Sequence, residues 1–353
     1  MLATMIHAPR DIRVEEQPLP TIALPTDAVV RVVAACVCGS DLWPYRGVRP
    51  THQPHGIGHE LVGIVEEVGA DVSTVKPGDF VISPFTMGDG TCVNCRNGWN
   101  QACEHLTGFG GPDATGHLVQ GAQSAYVRIP YADGTLQVVP GDPAPELIPH
   151  LLTLADVMST GHHAAVSAQV GPGSTVVVVG DGAVGLCAVL ASKRLGARRI
   201  IAMSRHADRQ ALALEFGATD IVAERGEAGI ERVRELLTED GEPRMADSAL
   251  ECVGTAESMD QALRSVRAGG YLGFVGVPAG GSQFPIRYLF DSNIHVAGGM
   301  APAHRYIPEL LPEVLDGSLQ PGKVFDLELP LAEAAEAYRA MDERRAIKVL
   351  LRP

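Results

Sequence analysis

An α/β protein of two domains is what this sequence predicts, with a doubly wound parallel sheet following a mainly-β N-terminal part. Three observations carry the prediction. At 353 residues the chain is long enough to bury two cores. Over residues 1–150, short β-branched runs are broken by Gly and Pro, the texture of a strand-rich domain. From about residue 153, short apolar runs alternate with helix-length segments, as parallel strands joined by covering helices require.

The elements follow in order. "AVVRVVAACVC" (28–38), "GIVEEVG" (63–69) and "DFVISPF" (79–85) read as strands between turn signals. "STVVVVG" (174–180) is too short and too uniformly apolar for a helix, and suits a buried parallel strand. "AVGLCAVLASKRLGA" (183–197) reads as the helix after it, with a glycine where a C-cap belongs. "RRIIAMS" (198–204) and "DRQALALEFGA" (208–218) repeat the pair. "GIERVRELLTED" (229–240), "DSALECVG" (247–254), "MDQALRSVRAGG" (259–270) and "YLGFVGVP" (271–278) continue the alternation. Two helix-like stretches, 304–319 and 331–346, precede a closing strand, "IKVLLRP".

Composition narrows the partners. A formal charge of −14 argues against nucleic acid, which needs a clustered basic surface, yet leaves room for one phosphate-bearing cofactor. The start "MLATMIHAPRDIRVEE" has neither a basic n-region nor a long apolar run, so no signal peptide is expected. No run approaches the length of a membrane span, so none is expected either. Seven cysteines, an odd number, point to a reducing compartment with metal or free-thiol roles, and so to the cytoplasm.

The turn Gly180-Asp181-Gly182-Ala183-Val184-Gly185 joins the first apolar strand to its helix. Gly180 permits the tight turn, Gly182 lets the backbone approach a pyrophosphate, and Gly185 lets the helix pack close. Helix N–H groups beyond the turn face the phosphates. A Gly-rich βα turn without a ligand is the bland reading; its place between strand and helix favours a dinucleotide. At the tip of the second strand, where a carboxylate would hold the ribose 2′-hydroxyl, the chain has Ser204-Arg205-His206. A guanidinium there binds a 2′-phosphate, with the serine hydroxyl beside it and His206 adding charge at low pH, so NADP is expected over NAD. The alternative is a solvated surface arginine.

Three further clusters carry metal-binding residue types: "CVCGSDLWPYRG" (36–47), "GIGHELVG" (56–63) and "LADVMSTGHHAA" (154–165). Cys, His and a carboxylate suit zinc, and three protein ligands leave a position for substrate oxygen. Spacing alone does not select Cys38, His59 and Asp156, since a core thiol, a turn-capping histidine and a helix-capping aspartate are each ordinary. A fourth cluster, "DGTCVNCRNGWNQACEH" (89–105), places Cys92, Cys95 and Cys103 in a Gly- and Asn-rich loop. A redox pair would be expected to open a helix after a strand, so a metal lobe is the better reading.

Together these stretches resemble the zinc-dependent medium-chain alcohol dehydrogenases, over nearly the whole chain. The resemblance rests on "GHELVGIVEEVG", "CGSD", the cysteine lobe, "GDGAVG" and "ECVG". It is nearest to the NADP-dependent secondary-alcohol dehydrogenases, which also carry an Asp ligand and a Ser-Arg pair after the second strand. The implied fold is a Rossmann sheet (154–299) inserted in a mainly-β, GroES-like catalytic domain (1–153 and 300–353). The implied catalytic zinc ligands are Cys38, His59 and Asp156, the last in place of the Cys that many members have. Glu60 matches a glutamate near or on the metal, and Asp41 a partner for the other nitrogen of His59. Ser40 matches the hydroxyl that passes the substrate proton. Many members continue that relay with a His where this chain has Trp43; here it must run through the ribose, Tyr45, His52 or His55, and Trp43 is free to wall the substrate pocket.

The implied reaction is hydride transfer between a primary or secondary alcohol (aldehyde or ketone in reverse) and NADP(H), with zinc polarising the oxygen. The lobe implies a second, structural zinc on Asp89, Cys92, Cys95 and Cys103, with Asp89 in place of the family's first Cys; an empty lobe of free thiols is the alternative. Family members are homodimers or homotetramers. A polyol or sugar dehydrogenase of the same superfamily, and a non-catalytic NADP-binding protein, are the competing readings.

Overall fold

The computed structural model describes residues 1–49, 51–242, 244–278 and 284–353. The chain divides into two compact units, Met1–Asp156 with Pro302–Pro353, and Val157–Ala301. The boundaries expected at 153/154 and 299/300 thus fall slightly later, and Asp156 lies with the first unit.

In the first unit the strand Ala28–Cys36 pairs antiparallel with Leu61–Val68, which pairs in turn with Phe80–Ser83. On its other side it meets Lys348–Arg352, and Tyr126–Ile129 also pairs with it. The closing segment of the chain therefore completes the sheet begun by the N-terminal part. Val30, Val32, Leu61, Val65, Val81 and Val127 fill one core beside this sheet; Val30, Val32, Val65 and Val81 are among the β-branched residues that made three runs readable as strands. A smaller sheet joins Asp11–Glu16, Leu2–Ala8 and His55–Gly56. The helix Ala334–Asp342 buries Ala337, Tyr338 and Met341 in a second core.

The second unit is a six-stranded sheet, parallel at every pairing. Its order is Asp220–Val222, Arg199–Met203, Thr175–Val179, Ala246–Glu251, Val266–Phe274, His295–Gly298. Chain order reverses between Thr175–Val179 and Ala246–Glu251, and the crevice beyond the carboxyl ends of strands at such a switch point is where ligands bind. Thr175–Val179 is buried at every residue, as its uniform apolar run requires. One expected helix differs. It runs Ala256–Arg264, and Val266 to Gly270, expected as helix, open the next strand. Two glycines, Gly269 and Gly270, have no place in a helix interior, and the capping pair Thr255–Ser258 starts the helix earlier. The helix Ile286–Ser292 and the strand His295–Gly298 went unread, because Arg287 and Asp291 interrupt the first and the second is four residues long and ends in glycine.

Candidate active site

Three segments of the first unit converge. Cys38 follows the strand Ala28–Cys36, His59 and Glu60 precede Leu61–Val68, and Asp156 follows the helix Ile148–Leu154. Adjacent antiparallel strands bring Cys38 and His59 together, since Ala35 pairs with Leu61. The N–H of Phe85 donates to Ala155 O at 3.2 Å and anchors the segment bearing Asp156. Gly58, just before His59, has φ +92°, and a Cβ there would meet Gln123 at 2.5 Å, so only glycine lets the chain turn here.

One ligand atom each from Cys38, His59, Glu60 and Asp156 lies within 4.8 Å of the others. Cys38 Sγ is 3.5 Å from Asp156 Oδ2, and His59 Nε2 is 3.5 Å from the same oxygen. Zinc bonds of about 2.0–2.3 Å in a tetrahedron put ligand atoms roughly 3.3–3.8 Å apart, so this donor set fits zinc. Electrostatics agree. Burial pushes the Cys38 thiol up, and the carboxylates of Asp156 and Glu60 push it further. Burial opposes a charge on His59, yet Asp41 and Cys38 outweigh it and hold its pKa well above the usual histidine range. The cluster is an anionic pocket that calls for a cation.

Around it stands a buried support. Asp41 Oδ1 lies 3.3 Å from His59 Nδ1, which leaves Nε2 toward Cys38 and Asp156. Asp41 Oδ2 accepts from the N–H of Cys38 at 3.0 Å and from Gln123 Nε2 at 3.2 Å, and Tyr338 OH donates to Gln123 Oε1 at 3.1 Å. Glu60 is turned to Lys348, whose Nζ donates to Oε1 at 2.8 Å, and its Oε2 is buried without a hydrogen-bond partner. Sequence reading missed Gln123, Tyr338 and Lys348. Lys348 carried a signal, a cation between the apolar Ile347 and Val349 of "IKVLLRP". Gln123 and Tyr338 carried none.

A cleft of about 410 Å³ opens over these residues, lined by Ser40, His55, Thr51 and Arg49, with Pro44, Phe85 and Phe109 as apolar walls. Ser40 Oγ is 3.5 Å from His59 Nε2. Trp43 is not among the lining residues, so the apolar wall expected of it is supplied by its neighbour Pro44 and the two phenylalanines. Tyr45 is buried against Tyr338, ring centroids 5.4 Å apart, away from the relay expected of it, and His52 does not line the cleft.

The lobe is a compact knot. Asp89, Cys92, Cys95 and Cys103 each bring a ligand atom within 4.8 Å of the rest. Cys92 Sγ and Cys103 Sγ are 3.8 Å apart, a spacing that fits two thiolates on one zinc. Backbone N–H groups of Asp89 and His105 donate to Cys103 Sγ at 3.3 Å. Asp89 Oδ1 accepts from the N–H of Thr91 at 2.7 Å and of Cys92 at 2.9 Å, and Oδ2 meets His105 Nδ1 at 2.6 Å. Partial burial raises the pKa of Asp89, but these donors outweigh it and hold the carboxyl well below its usual range. None of the seven cysteines, all of them among the described residues, forms a disulfide.

In the second unit the Gly-rich turn has the expected form. Gly180 takes φ +126°, and a Cβ on Gly185 would meet Gly180 O at 2.0 Å. Gly182 has open space around its Cβ position, and with Ala183 and Val184 it begins the helix Ala183–Arg194. Ser204 is buried at the tip of Arg199–Met203, Arg205 beside it is exposed, and His206 stands at the N-cap position of the next helix without a side-chain capping bond. Arg209 and Arg225 gather at the same tip, unforeseen. Arg209 had a signal, a basic residue in a helix's first turn, where the dipole disfavours it.

A parallel sheet with a dinucleotide turn in one unit, and Cys, His and Asp side chains forming a zinc-ready cleft in the other, define an oxidoreductase that uses metal and nucleotide. The profile of the alcohol dehydrogenase GroES-like domain matches residues 24–141, and that of the zinc-binding dehydrogenases matches 183–316. Zinc-type alcohol dehydrogenase B of Aspergillus flavus is 33% identical over 100% of this chain and 81% of its own. Alcohol dehydrogenase TADH from Thermus sp. ATN1 superposes with a TM-score of 0.88 at 35% identity, covering 100% of this chain and 99% of that one. The apo form of zinc dependent alcohol dehydrogenase 2 from Streptococcus pneumonia gives 0.87 at 30%, over 100% and 98%. The chain belongs to the zinc-dependent medium-chain alcohol dehydrogenases, and its enzyme class is that of oxidoreductases acting on alcohols with a nucleotide cofactor.

Proposed function

We propose that this enzyme interconverts primary or secondary alcohols of apolar or aromatic character with the corresponding aldehydes or ketones, using NADP(H). The observation that carries the reading is the cleft holding Ser40 and His59 between Phe85, Phe109 and Pro44. Cys38, His59 and Asp156 would hold the catalytic zinc, two anions and a neutral imidazole balancing its charge. Zinc supplies stabilisation of negative charge on the substrate oxygen, and the nicotinamide supplies hydride transfer. Asp41 keeps the proton of His59 on Nδ1, so Nε2 stays a lone-pair donor. Lys348 holds Glu60 Oε1 and makes the buried carboxylate part of the support. Ser40 takes the alcohol proton and His55, lining the same cleft, passes it to solvent in place of the absent relay histidine.

At the ribose end, Ser204 and Arg205 suit a 2′-phosphate, and no carboxylate stands at positions 204–206 to take two hydroxyls. The lobe of Asp89, Cys92, Cys95 and Cys103 would hold a structural zinc. The enzyme works as a homodimer or homotetramer in the cytoplasm. Support for pairing comes from Ile286 and Phe290, 70% and 76% exposed beside the open edge strand His295–Gly298. Seven cysteines without a disulfide accord with a reducing compartment, and no described helix is long and apolar enough to cross a membrane. A panel of alcohols, aldehydes and ketones assayed with NADP(H) and NAD(H) tests the reading. A higher kcat/KM with NAD, or activity confined to polyols, overturns it.

A further inference from the structure

Asp181 stands between the first two glycines of the dinucleotide turn, where that turn asks for no particular side chain. Its carboxylate reaches across to the tip of the neighbouring strand. Oδ2 accepts from Ser204 Oγ at 3.0 Å and from the N–H of Arg205 at 3.2 Å. Arg209 Nη1 lies 3.5 Å from Oδ1 and donates to the carbonyl of Asp181 at 3.3 Å, while Arg225 Nη2 lies 3.9 Å from Oδ2. The side chain is 13% exposed. Burial raises its pKa, but Arg209, Ser204 and the N–H of Arg205 outweigh burial and keep it ionised. One half-buried carboxylate thus engages the hydroxyl and the N–H that a 2′-phosphate would use, beside the guanidiniums of Arg209 and Arg225.

We infer that Asp181 is a specificity-determining residue, an internal counter-ion whose carboxylate occupies the donors of the 2′ pocket and lowers affinity for a 2′-phosphate. The inference rests on the reading of Ser204-Arg205 as the ribose end of the cofactor site. A phosphate ester there carries nearly two negative charges, so the arginines draw it in and the carboxylate beside them repels it. A cofactor with a free 2′-hydroxyl brings no charge to repel. Discrimination between the two cofactors is therefore set by Asp181 against the arginines, not by the strand tip alone.

Calorimetric titration of the full-length, zinc-loaded protein with 2′,5′-ADP and with 5′-AMP tests this without turnover. Asp181→Asn keeps an acceptor for Ser204 and Arg205 while removing the charge. It is expected to tighten 2′,5′-ADP about tenfold, to leave 5′-AMP within about twofold, and to lose the gain at high salt. Asp181→Ser serves if the first variant unfolds at lower temperature than the parent. Unchanged or weaker 2′,5′-ADP binding in a folded variant overturns the inference, as does selective loss of 5′-AMP, which would mean that the carboxylate holds ribose hydroxyls. The parent protein's own ratio tests the NADP reading separately: tighter 5′-AMP there overturns that reading, while a shift toward 2′,5′-ADP in Asp181→Asn still upholds the role of Asp181.

Discussion

Cys38 and Asp156 are separated by more than a hundred residues, yet their ligand atoms are 3.5 Å apart. Either side chain completes the same three-donor set, so Cys38→Ala or Asp156→Ala should lower turnover by several orders of magnitude. Nucleotide binding, followed by nicotinamide fluorescence, should change little, because the Gly180–Gly185 turn belongs to the other unit. Near-normal turnover by either variant would sink the assignment. Asp41 acts at one remove. Asp41→Asn should cost about 10–100-fold in zinc affinity or activity, as loss of such outer partners does. Competition with a chelator measures it, and affinity equal to the parent would remove Asp41 from the support of His59.

Arg128, on the strand Tyr126–Ile129, shows how one element is locked. Its guanidinium donates to Asp27 Oδ2 at 2.8 Å and to Asp113 Oδ2 at 2.6 Å, all three side chains buried. Arg128→Ala leaves two buried carboxylates uncompensated and should cost about 3–5 kcal/mol in urea unfolding of the zinc-loaded protein. A loss below about 1 kcal/mol would mean that water reaches the pair. Asp113 also sets a pH signature. Burial raises its pKa, but Thr115, Arg128 and the N–H of His117 more than offset this and hold it well below the carboxylate range. Its folded value lies below the unfolded one, so its stabilisation is complete above about pH 4 and is lost as pH falls toward the folded value. Acid titration of the parent should show this loss only below about pH 4, and Asp113→Asn should flatten it.

Two metal centres are expected in the whole molecule, and they should be separable. Elemental analysis should find about two zinc ions per chain, and Asp89→Ala about one, with the melting temperature lowered and the catalytic ion retained. One ion per chain in the parent, unchanged by Asp89→Ala, would mean that the lobe stays empty. The lobe is built on the short helix Val93–Arg96, which Cys92 caps, and the turn Asn100–Ala102, and its cysteines form a small buried cluster of their own.

Local pattern alone made the parallel sheet readable: Thr175–Val179 and Arg199–Met203 are short apolar runs, and helix-length segments separate them. The Gly180–Gly185 turn was readable for the same reason, since its chemistry is written in consecutive residues. Val266–Gly270 was misplaced because its two glycines and single polar residue, Arg267, have no period of their own; pairing with Ala246–Glu251 makes it a strand. The zinc-ready cluster needed more than spacing. Cys38, His59 and Asp156 come from segments far apart, so motif resemblance, not periodicity, is what singles them out in the sequence. Folding alone set which groups face each other: Lys348 on Glu60, Gln123 on Asp41, Asp181 on Ser204. Such pairings depend on strand register and on the closing strand returning to the sheet begun by the N-terminal part. Burial then turns each into a requirement, because a polar group out of water must find its partner in three dimensions.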